Sequence, residues 1–216
     1  MDINKLNKEY KKKGYVLIRK FYPKSFCKIL NTYCKYRFQN ITDFKNSNKI
    51  EYRPTTDGNL DDPQAPGAGS FYGDPFMEAM LFNSTDKIKQ IVKKEIAPTY
   101  SYWRYYRKGN DLPRHSDRQD CKVSATVCIG FDVSNLKQDY NWGIFMGGKK
   151  DTEIKMYPGD LAIYNGVDIP HWRETFLGIY HVQVFLHYTD IPILKNLIDL
   201  RPRLGLPDVF RNKNET

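Results

Sequence analysis

Two histidines and one aspartate are the residues whose types and spacing are best suited to chemistry in this chain. His115 and Asp117 are separated by a single serine, and His171 follows Pro170 at the start of a strand-like run. In an extended segment, residues i and i+2 face the same side, so His115 and Asp117 can hold one ion together. Two imidazoles and one carboxylate make a facial triad, which leaves three coordination positions open on iron.

The same three ligands are also compatible with zinc, and an HxD pair by itself is weakly specific. Zinc in proteins is more often closed by a fourth ligand, or it keeps a single open position. A zinc hydrolase would also need a general base, and only Glu174 lies close to one of the ligands in the sequence. The choice of metal therefore depends on the sequence that surrounds the three residues.

The segments that must position these residues change character near residue 99. Before it, apolar residues recur with helical spacing, and after it, runs rich in β-branched and aromatic residues are separated by turns. Helices followed by strands indicate an α+β fold, in which helices pack on a β-sandwich or a jelly-roll barrel. The predicted elements are helices over 1–13, 26–38, 75–82 and 85–96, a strand over 14–21, and strands in TYSYWRYY, KVSATVCIGFDV, WGIFM, EIKMY, DLAIYN and HVQVFLHY.

Residues 39–73 form a long polar segment rich in Asn, Asp, Gly and Pro. A structureless segment of this length is often functional, and a lid or a substrate loop is one interpretation. An ordinary surface loop is the other. We expect substrate choice to depend on this segment and on the loop over 132–153, neither of which carries a recognisable motif.

The length of 216 residues suits a single domain. We divide it into a mainly helical N-terminal support and loop over 1–98, a β-rich core over 99–190 and a C-terminal tail over 191–216. The net charge of +9 permits binding to nucleic acid, acidic protein or anionic small molecules without choosing among them. Much of that charge lies in short lysine runs, which are more typical of a solvated surface than of a dedicated binding patch.

The four cysteines, at positions 27, 34, 121 and 128, form no CxxC pair. Cys27 and Cys34 lie two turns apart on one helix face, so their Cα atoms would be about 10 Å apart, too far for a disulfide. We expect four reduced thiols in a reducing compartment. The N-terminal residues lack the apolar core of a signal peptide and no stretch approaches the length of a membrane span, so we expect a cytoplasmic protein outside the membrane.

The sequence around the three ligands carries a specific resemblance. The spacing YxxG-x₅-HxD, which begins at Tyr106, is followed by a β-run, by PGDLAIYNG and by HWRE. This layout resembles the Fe(II)/2-oxoglutarate dioxygenase superfamily, in its prolyl-hydroxylase-like branch and among its small bacterial and viral members, over roughly residues 14–190. The resemblance implies a double-stranded β-helix (jelly-roll) core with N-terminal helices buttressing one sheet. It also implies Fe(II) as the metal and 2-oxoglutarate and O₂ as co-substrates, with hydroxylation of a C–H bond of a protein side chain or small molecule and release of succinate and CO₂.

The resemblance assigns site residues position by position. His115, Asp117 and His171 match its iron ligands. Tyr106 matches a tyrosine that lines the 2-oxoglutarate pocket, and Thr126 matches a small polar residue on the neighbouring strand. We therefore expect Tyr106 and Thr126 to contact the co-substrate.

The residue that binds the distal carboxylate of 2-oxoglutarate departs from the family pattern. The resemblance implies a lysine or arginine about ten residues after the distal histidine, and here that position is His181. Alternation along HVQVFLHY places His181 and Gln183 on one face with Phe185 and His187, so His181 and Gln183 are candidates for the pocket. His187, near the strand end, is expected to be a hydrogen-bonded core histidine.

Two arginines can replace the missing basic residue. Alternation along SYWRYY places Arg104 on the same face as the tyrosines two residues to either side, so it can point into the barrel and bind a carboxylate through two N–H groups. Arg173 lies two residues after the distal histidine. We rank Arg104 first, His181 second and Arg173 third. Each has a structural alternative: Arg104 can pair with a core carboxylate, His181 can be a satisfied core histidine, and Arg173 can pair with Glu174 or solvent.

Several functions stay open at this level. Peptide side chains, free amino acids and other small metabolites are all compatible substrates. A nucleic-acid-directed oxygenase of the same superfamily is permitted by the charge but not favoured, because no basic stripe interleaved with aromatics and no base-flipping signature is present. A jelly-roll that binds a ligand without chemistry is a further alternative, which the intact triad disfavours. The sequence does not choose an oligomeric state.

Overall fold

The computed structural model of the chain describes residues 1–47, 51–137 and 139–190. Its helices are α1 (Ile3–Lys13), α2 (Lys24–Ser47), α3 (Pro54–Asp57) and α4 (Pro75–Val92). Its strands are β1 (Tyr15–Ile18), β2 (Gly69–Tyr72), β3 (Ile96–Arg107), β4 (Leu112–His115), β5 (Val123–Asp132), β6 (Ile144–Met146), β7 (Thr152–Ile154), β8 (Leu161–Asn165), β9 (His171–Arg173) and β10 (Tyr180–Asp190). The C-terminal tail that we assigned to 191–216 lies outside the described residues.

The strands form two antiparallel sheets. The larger sheet has the order β1-β8-β5-β10-β3-β2, and the smaller has the order β4-β9-β6-β7. The edge strands β1 and β2 of the larger sheet come from the N-terminal part of the chain. Side chains of both sheets meet between them, where Cys128 and Tyr164 of the larger sheet pack against Ile144 and Met146 of the smaller one. This arrangement confirms the predicted α+β fold with a jelly-roll core.

The helices cover the opposite face of the larger sheet. Leu30 of α2 and Met77 of α4 are fully buried in one apolar cluster with Val184 of β10. Val184 faces the helices, and because alternate residues of a strand point to opposite faces, Gln183 and Phe185 face the smaller sheet. Burying a side chain of this size contributes about 1.5–3 kcal/mol. The helices therefore hold the sheet in place and leave its inner face for the site.

One long helix stands where we predicted two between residues 75 and 96, and that prediction was wrong. α4 runs without a break over 18 residues. The polar residues that suggested an interruption have partners: Thr85 Oγ1 donates to Leu81 O at 2.9 Å, and Ser84 Oγ lies 2.5 Å from the hydroxyl of Tyr22. Because their hydrogen bonds are satisfied locally or by packing, these residues do not end the helix.

Part of the segment 39–73, which we predicted to be irregular, is regular. α2 continues to Ser47, with Ile41 buried and Thr42 Oγ1 donating to Phe38 O at 2.8 Å. The segment ends in β2, which pairs with β3 at the edge of the larger sheet. Burial of one helix face outweighs the weak helix propensity of the polar residues in this stretch.

All four cysteines are free, as we predicted, and all four are buried. Burial raises the pKa of Cys128 and keeps this residue a thiol. In the described part of the chain, no helix combines the length and the apolar character needed to cross a membrane.

Candidate metal centre

The three predicted ligands meet between the two sheets. His115 ends β4, His171 begins β9, and the two residues are paired directly across these strands. Asp117 Oδ1 lies 3.7 Å from His115 Nε2 and 3.5 Å from His171 Nε2. The three candidate ligand atoms all lie within 4.8 Å of one another, a spacing that one ion at ordinary bond lengths of about 2.0–2.2 Å can bridge. Among the described residues, this is the one group of His, Cys, Asp and Glu side chains arranged to hold an ion.

Backbone carbonyls orient both imidazoles. The Nδ1 atom of His115 lies 2.8 Å from Pro113 O, and the Nδ1 atom of His171 lies 2.9 Å from Ile169 O. A carbonyl oxygen only accepts, so each Nδ1 carries the proton and donates it. Each Nε2 lone pair is therefore free to bind a metal, and it is directed towards Asp117.

Burial sets the protonation of the three ligands. Burial lowers the pKa of His171 to about 4, and burial together with the neighbouring His171 lowers the pKa of His115. Burial raises the pKa of Asp117 to about 6, against the opposing effect of its hydrogen bond from Ser124. Both imidazoles are thus neutral near pH 7, and neutral imidazole is the form that binds metal ions.

Asp117 is supported by residues that the sequence analysis did not single out. Its backbone N–H donates to Gly166 O at 2.8 Å, and its Oδ2 accepts from Ser124 Oγ at 2.7 Å. His187 Nδ1 lies 2.9 Å from the same Ser124 Oγ, so His187 is the hydrogen-bonded buried histidine that we predicted. Ser124 lies two residues before Thr126 on β5, so it faces the same side of the strand as this predicted pocket residue. Strand alternation was therefore the sequence signal that could have identified Ser124.

Gly166 allows the close approach of Asp117 to the backbone. A Cβ at position 166 would lie 2.4 Å from Asp117 Oδ2 and 2.4 Å from Cys121 O. We expect Gly166→Ala to push the carboxylate out of place and to weaken Mn(II) binding by about 10- to 100-fold, a range typical for loss of the groups that orient metal ligands. Equilibrium titration with Mn(II) measures this change.

Gly148→Ala is the matched control for that prediction. A Cβ at position 148 would meet only Lys150 O, at 3.9 Å, which is an ordinary contact. Mn(II) affinity should be unchanged in Gly148→Ala. Wild-type affinity in Gly166→Ala would show that the carboxylate has room to shift and that Gly166 has no role in holding it.

Arg104 already has a partner for its charge. Its Nε and Nη2 donate to the Asp62 carboxylate at 3.0 and 3.2 Å, and Nη2 also donates to Gln64 Oε1. Its Nη1 donates to the hydroxyl of Tyr106 at 3.3 Å, and its guanidinium lies 5.1 Å from the ring centroid of Tyr102. These contacts confirm that Tyr102, Arg104 and Tyr106 share one face of β3. Arg104 is thus engaged by a core carboxylate, the alternative that the sequence left open.

Arg173 is a buried cation without a counter-ion in the described part of the chain. It is 2% exposed and lies on the same side of β9 as His171. Its Nη1 donates to Trp142 O at 2.8 Å, and its guanidinium lies 4.7 Å from the Trp142 ring centroid. Its Nε and Nη2 have no hydrogen-bond partner among the described residues. An unpaired buried charge is costly, so this position favours a bound anion.

Two further predicted pocket residues keep unused polar atoms. His181 Nδ1 and Gln183 Oε1 are buried and have no hydrogen-bond partner among the described residues. Burial and the neighbouring Arg173 lower the pKa of His181 well below its usual value, so this imidazole is neutral. His181 therefore cannot supply the positive charge that the resemblance implies at its position.

Thr126 links the pocket to the neighbouring strand. Gln183 Nε2 donates to Thr126 Oγ1 at 2.6 Å, and that hydroxyl donates to Val184 O at 3.2 Å. The Thr126 hydroxyl therefore has both a donor and an acceptor within the protein, and it orients Gln183. The ring of Tyr106 meets that of Trp142 edge-on with centroids 4.8 Å apart, and the guanidinium of Arg173 lies against the same Trp142 ring.

Asp62 is predicted to be important for stability, because it balances Arg104. The side chains of this pair are 3% and 1% exposed. Asp62→Ala leaves a buried guanidinium without its carboxylate, and we expect a loss of about 3–5 kcal/mol in the free energy of unfolding, measured by urea denaturation. Asp61→Ala, which removes an exposed carboxylate that accepts from Gly67 N at 2.8 Å, should cost about 1 kcal/mol. Equal losses in both variants would indicate that the loop conformation, and not the ion pair, is what matters.

Comparisons with known proteins place the fold. No protein-family model matches the sequence, and a search of curated proteins finds no match. A prolyl-4-hydroxylase from Pseudomonas putida is 15% identical with a TM-score of 0.63, over 88% of this chain and 99% of that one. A prolyl hydroxylase from Trichoplax adhaerens, in complex with a hypoxia-inducible-factor peptide fragment, is 14% identical with a TM-score of 0.60, over 91% and 93%. HygX from Streptomyces hygroscopicus, with nickel and 2-oxoglutarate bound, is 8% identical with a TM-score of 0.58, over 87% of each chain.

The chain has the fold of the Fe(II)- and 2-oxoglutarate-dependent oxygenases. This oxygenase fold confirms the jelly-roll core and the helices behind one sheet that the resemblance implied. One structural neighbour, HygX, has been crystallised with iron and with nickel and 2-oxoglutarate, and the present chain offers a His-Asp-His donor set that can bind a metal. At such low identities the likeness establishes the fold, and the roles of individual residues rest on the geometry above.

Proposed function

We propose that this chain is an Fe(II)- and 2-oxoglutarate-dependent dioxygenase that oxidises a C–H bond of a peptide side chain or a small molecule. His115, Asp117 and His171 would hold the iron. The observation that carries the proposal is the pairing of two features inside one barrel: a three-ligand metal group and, two residues from one ligand, a buried arginine with free N–H groups. A metal group alone would fit many functions, whereas a buried cation beside it is suited to an anionic co-substrate.

Arg173 is the residue that we assign to the distal carboxylate of 2-oxoglutarate. Its free Nε and Nη2 atoms form one edge of the planar guanidinium, and such an edge matches the two oxygens of a carboxylate. Arg104 is less suitable, because Asp62 already occupies the corresponding edge of its guanidinium. We therefore place Arg173 ahead of Arg104 and His181, whereas the sequence analysis ranked Arg104 first, His181 second and Arg173 third.

The remaining predicted pocket residues would complete the binding site. Gln183 Oε1 and His181 Nδ1 are buried polar atoms without partners among the described residues, which fits a pocket that a polar ligand fills. Thr126 fixes the orientation of Gln183, and Tyr106 lies against Trp142 beside Arg173. These residues would orient the co-substrate and exclude water from it.

When bound, iron would bring O₂ and 2-oxoglutarate together: O₂ would be the oxidant, with one of its atoms going to the new hydroxyl and the other to succinate, as 2-oxoglutarate loses CO₂. The chain itself contributes the neutral imidazoles, the buried carboxylate and the unpaired guanidinium described above. The Trichoplax adhaerens prolyl hydroxylase is in complex with a peptide fragment, and HygX has been crystallised with hygromycin B bound, so proteins of this fold bind both peptides and small molecules. We do not extend the proposal to nucleic acid, because net charge alone does not choose a partner.

Anaerobic reconstitution followed by exposure to air tests the proposal. Purified protein is loaded with Fe(II) and 2-oxoglutarate, and succinate is measured with and without candidate peptides and metabolites. We expect one bound iron per chain and succinate formation above the background of free iron. Tight iron binding without consumption of 2-oxoglutarate over a broad substrate panel would favour the binding protein instead. Zinc content with hydrolytic activity would favour the zinc hydrolase, whose candidate base, Glu174, is exposed.

A further inference from the structure

The two oxygens of the Asp117 carboxylate have different surroundings. Oδ1 lies within 3.7 Å of the Nε2 atoms of both His115 and His171, so it is the oxygen placed to meet an ion. Oδ2 accepts a hydrogen bond from Ser124 Oγ at 2.7 Å. One oxygen is therefore directed at the metal position while the other is occupied by a protein donor.

Ser124 is itself held by a buried histidine. Ser124 on β5 pairs directly with His187 on β10, and Ser124 Oγ lies 2.9 Å from His187 Nδ1. The imidazole of His187 is 2% exposed and lies beside the rings of Tyr100 and Tyr102, with centroids 4.8 and 5.5 Å away. These contacts restrict the rotation of His187, so its Nδ1 stays directed at the serine.

The direction of the hydrogen bonds follows from the donors available. A hydroxyl has one proton, and an ionised carboxylate only accepts, so Ser124 gives its proton to Asp117. Ser124 Oγ then accepts from His187, which must carry its proton on Nδ1. Burial lowers the pKa of His187 to about 3, which agrees with a neutral imidazole that has this single proton. Cys121 O lies 3.1 Å from Ser124 Oγ and is the competing acceptor, at a longer distance than Asp117.

The backbone at Gly166 limits the alternatives for the carboxylate. A Cβ at this position would lie 2.4 Å from Asp117 Oδ2 and 2.8 Å from Ser124 Oγ, so both atoms are packed against the chain. The carboxylate thus has little room to rotate away from the serine. In this network His187 donates to Ser124 and Ser124 donates to Asp117, so each acceptor has a donor.

We propose that Ser124 and His187 are positioning residues that reserve Oδ2 of Asp117, so that the aspartate offers the metal a single oxygen. This inference rests on the proposed function and deepens it. A carboxylate that bound through both oxygens would take two coordination positions of the metal, and fewer would be left for the co-substrates. Ser124 and His187 would therefore keep one more position available to them.

The experiment compares variants that remove a hydrogen-bond donor from the His187–Ser124–Asp117 network with variants that keep a donor at the same position. Ser124→Ala removes the donor to Oδ2, and His187→Leu removes the donor to Ser124. Ser124→Thr keeps the hydroxyl, and His187→Asn keeps an N–H near the position of Nδ1. Ser116→Ala, which removes an exposed serine between two ligands, is the matched control. Co(II) absorption and the crystal structure of the Ni(II) form report the coordination of Asp117, and calorimetry reports 2-oxoglutarate binding to the Mn(II) form.

We expect one-oxygen coordination by Asp117 in the wild type and in Ser116→Ala, Ser124→Thr and His187→Asn. In Ser124→Ala and His187→Leu we expect two-oxygen coordination, a changed Co(II) spectrum, and 2-oxoglutarate affinity lowered by about 10-fold or more, the size of a hydrogen bond to a charged group. Wild-type coordination and affinity in both disruptive variants, with folding verified by circular dichroism, would overturn the inference and leave the proposed function intact.

Two outcomes concern the proposed function separately. A wild-type protein that binds Co(II) and Ni(II) but not 2-oxoglutarate would overturn the proposed function, and the coordination of Asp117 in the variants would still decide the role of Ser124 and His187. A wild-type protein that binds none of the three metals would overturn both.

Discussion

Replacing Asp117 with alanine is expected to abolish metal binding and succinate formation together. The carboxylate supplies the one anionic ligand of the group, and its Oδ1 lies 3.5 Å from His171 Nε2 and 3.7 Å from His115 Nε2. Loss of a partner that only orients a ligand typically costs 10- to 100-fold in metal affinity, so loss of the ligand itself should exceed about 100-fold. Calorimetric titration with Mn(II) and a succinate assay with Fe(II) measure the two effects.

Asp111→Ala is the control for this substitution. Asp111 is an exposed carboxylate of the same segment, and its loss should leave metal affinity and succinate formation at wild-type values. Full turnover in Asp117→Ala would remove Asp117 from the metal site and with it the proposed triad. Retained metal binding with lost turnover would instead point to a metal held mainly by the two histidines.

Replacing Arg173 with methionine is expected to change stability and ligand binding in opposite directions. Without ligand, the variant should be as stable as the wild type or more stable, because the wild type buries a charge that no carboxylate among the described residues balances. Affinity for 2-oxoglutarate should fall by about 100-fold or more, in the range expected when one member of a buried charged pair is removed. The wild type should therefore show a rise in Tm on adding 2-oxoglutarate to the Mn(II) form, and Arg173→Met should not.

Arg104→Met gives the matching comparison, because it removes the other buried arginine near the pocket. This variant leaves the buried Asp62 without its cation, so we expect a lower Tm without ligand and a retained rise in Tm with 2-oxoglutarate. The reversed pattern, with the ligand response lost in Arg104→Met and kept in Arg173→Met, would restore Arg104 as the carboxylate ligand. The two variants thus separate a structural ion pair from a binding residue by measurements on the folded protein.

The sequence by itself determined the fold class and the three candidate metal ligands. Helical spacing before residue 99 and strand-like runs after it were sufficient for an α+β fold, because local periodicity records which face of each element is buried. The separation of His115 and Asp117 by one residue placed both on one side of an extended segment, and alternation on β10 placed His181 and Gln183 on the inner face. These inferences depend on neighbours in the chain, and the sequence contains those neighbours.

Only the tertiary structure showed which polar groups already have a hydrogen-bond or ion-pair partner, because partners distant in the chain cannot be read from local spacing. The sequence offered both Arg104 and Arg173 as carboxylate ligands and ranked Arg104 first, but the loop that carries Asp62 pairs with Arg104, whereas Arg173 keeps free N–H groups among the described residues. The contact of His187 with Ser124 likewise arises from the pairing of β10 with β5. Burial strengthens the interactions of a paired polar group and makes an unpaired polar group more costly. The distant contacts, rather than the residue types, therefore determine the role of each residue around the metal position.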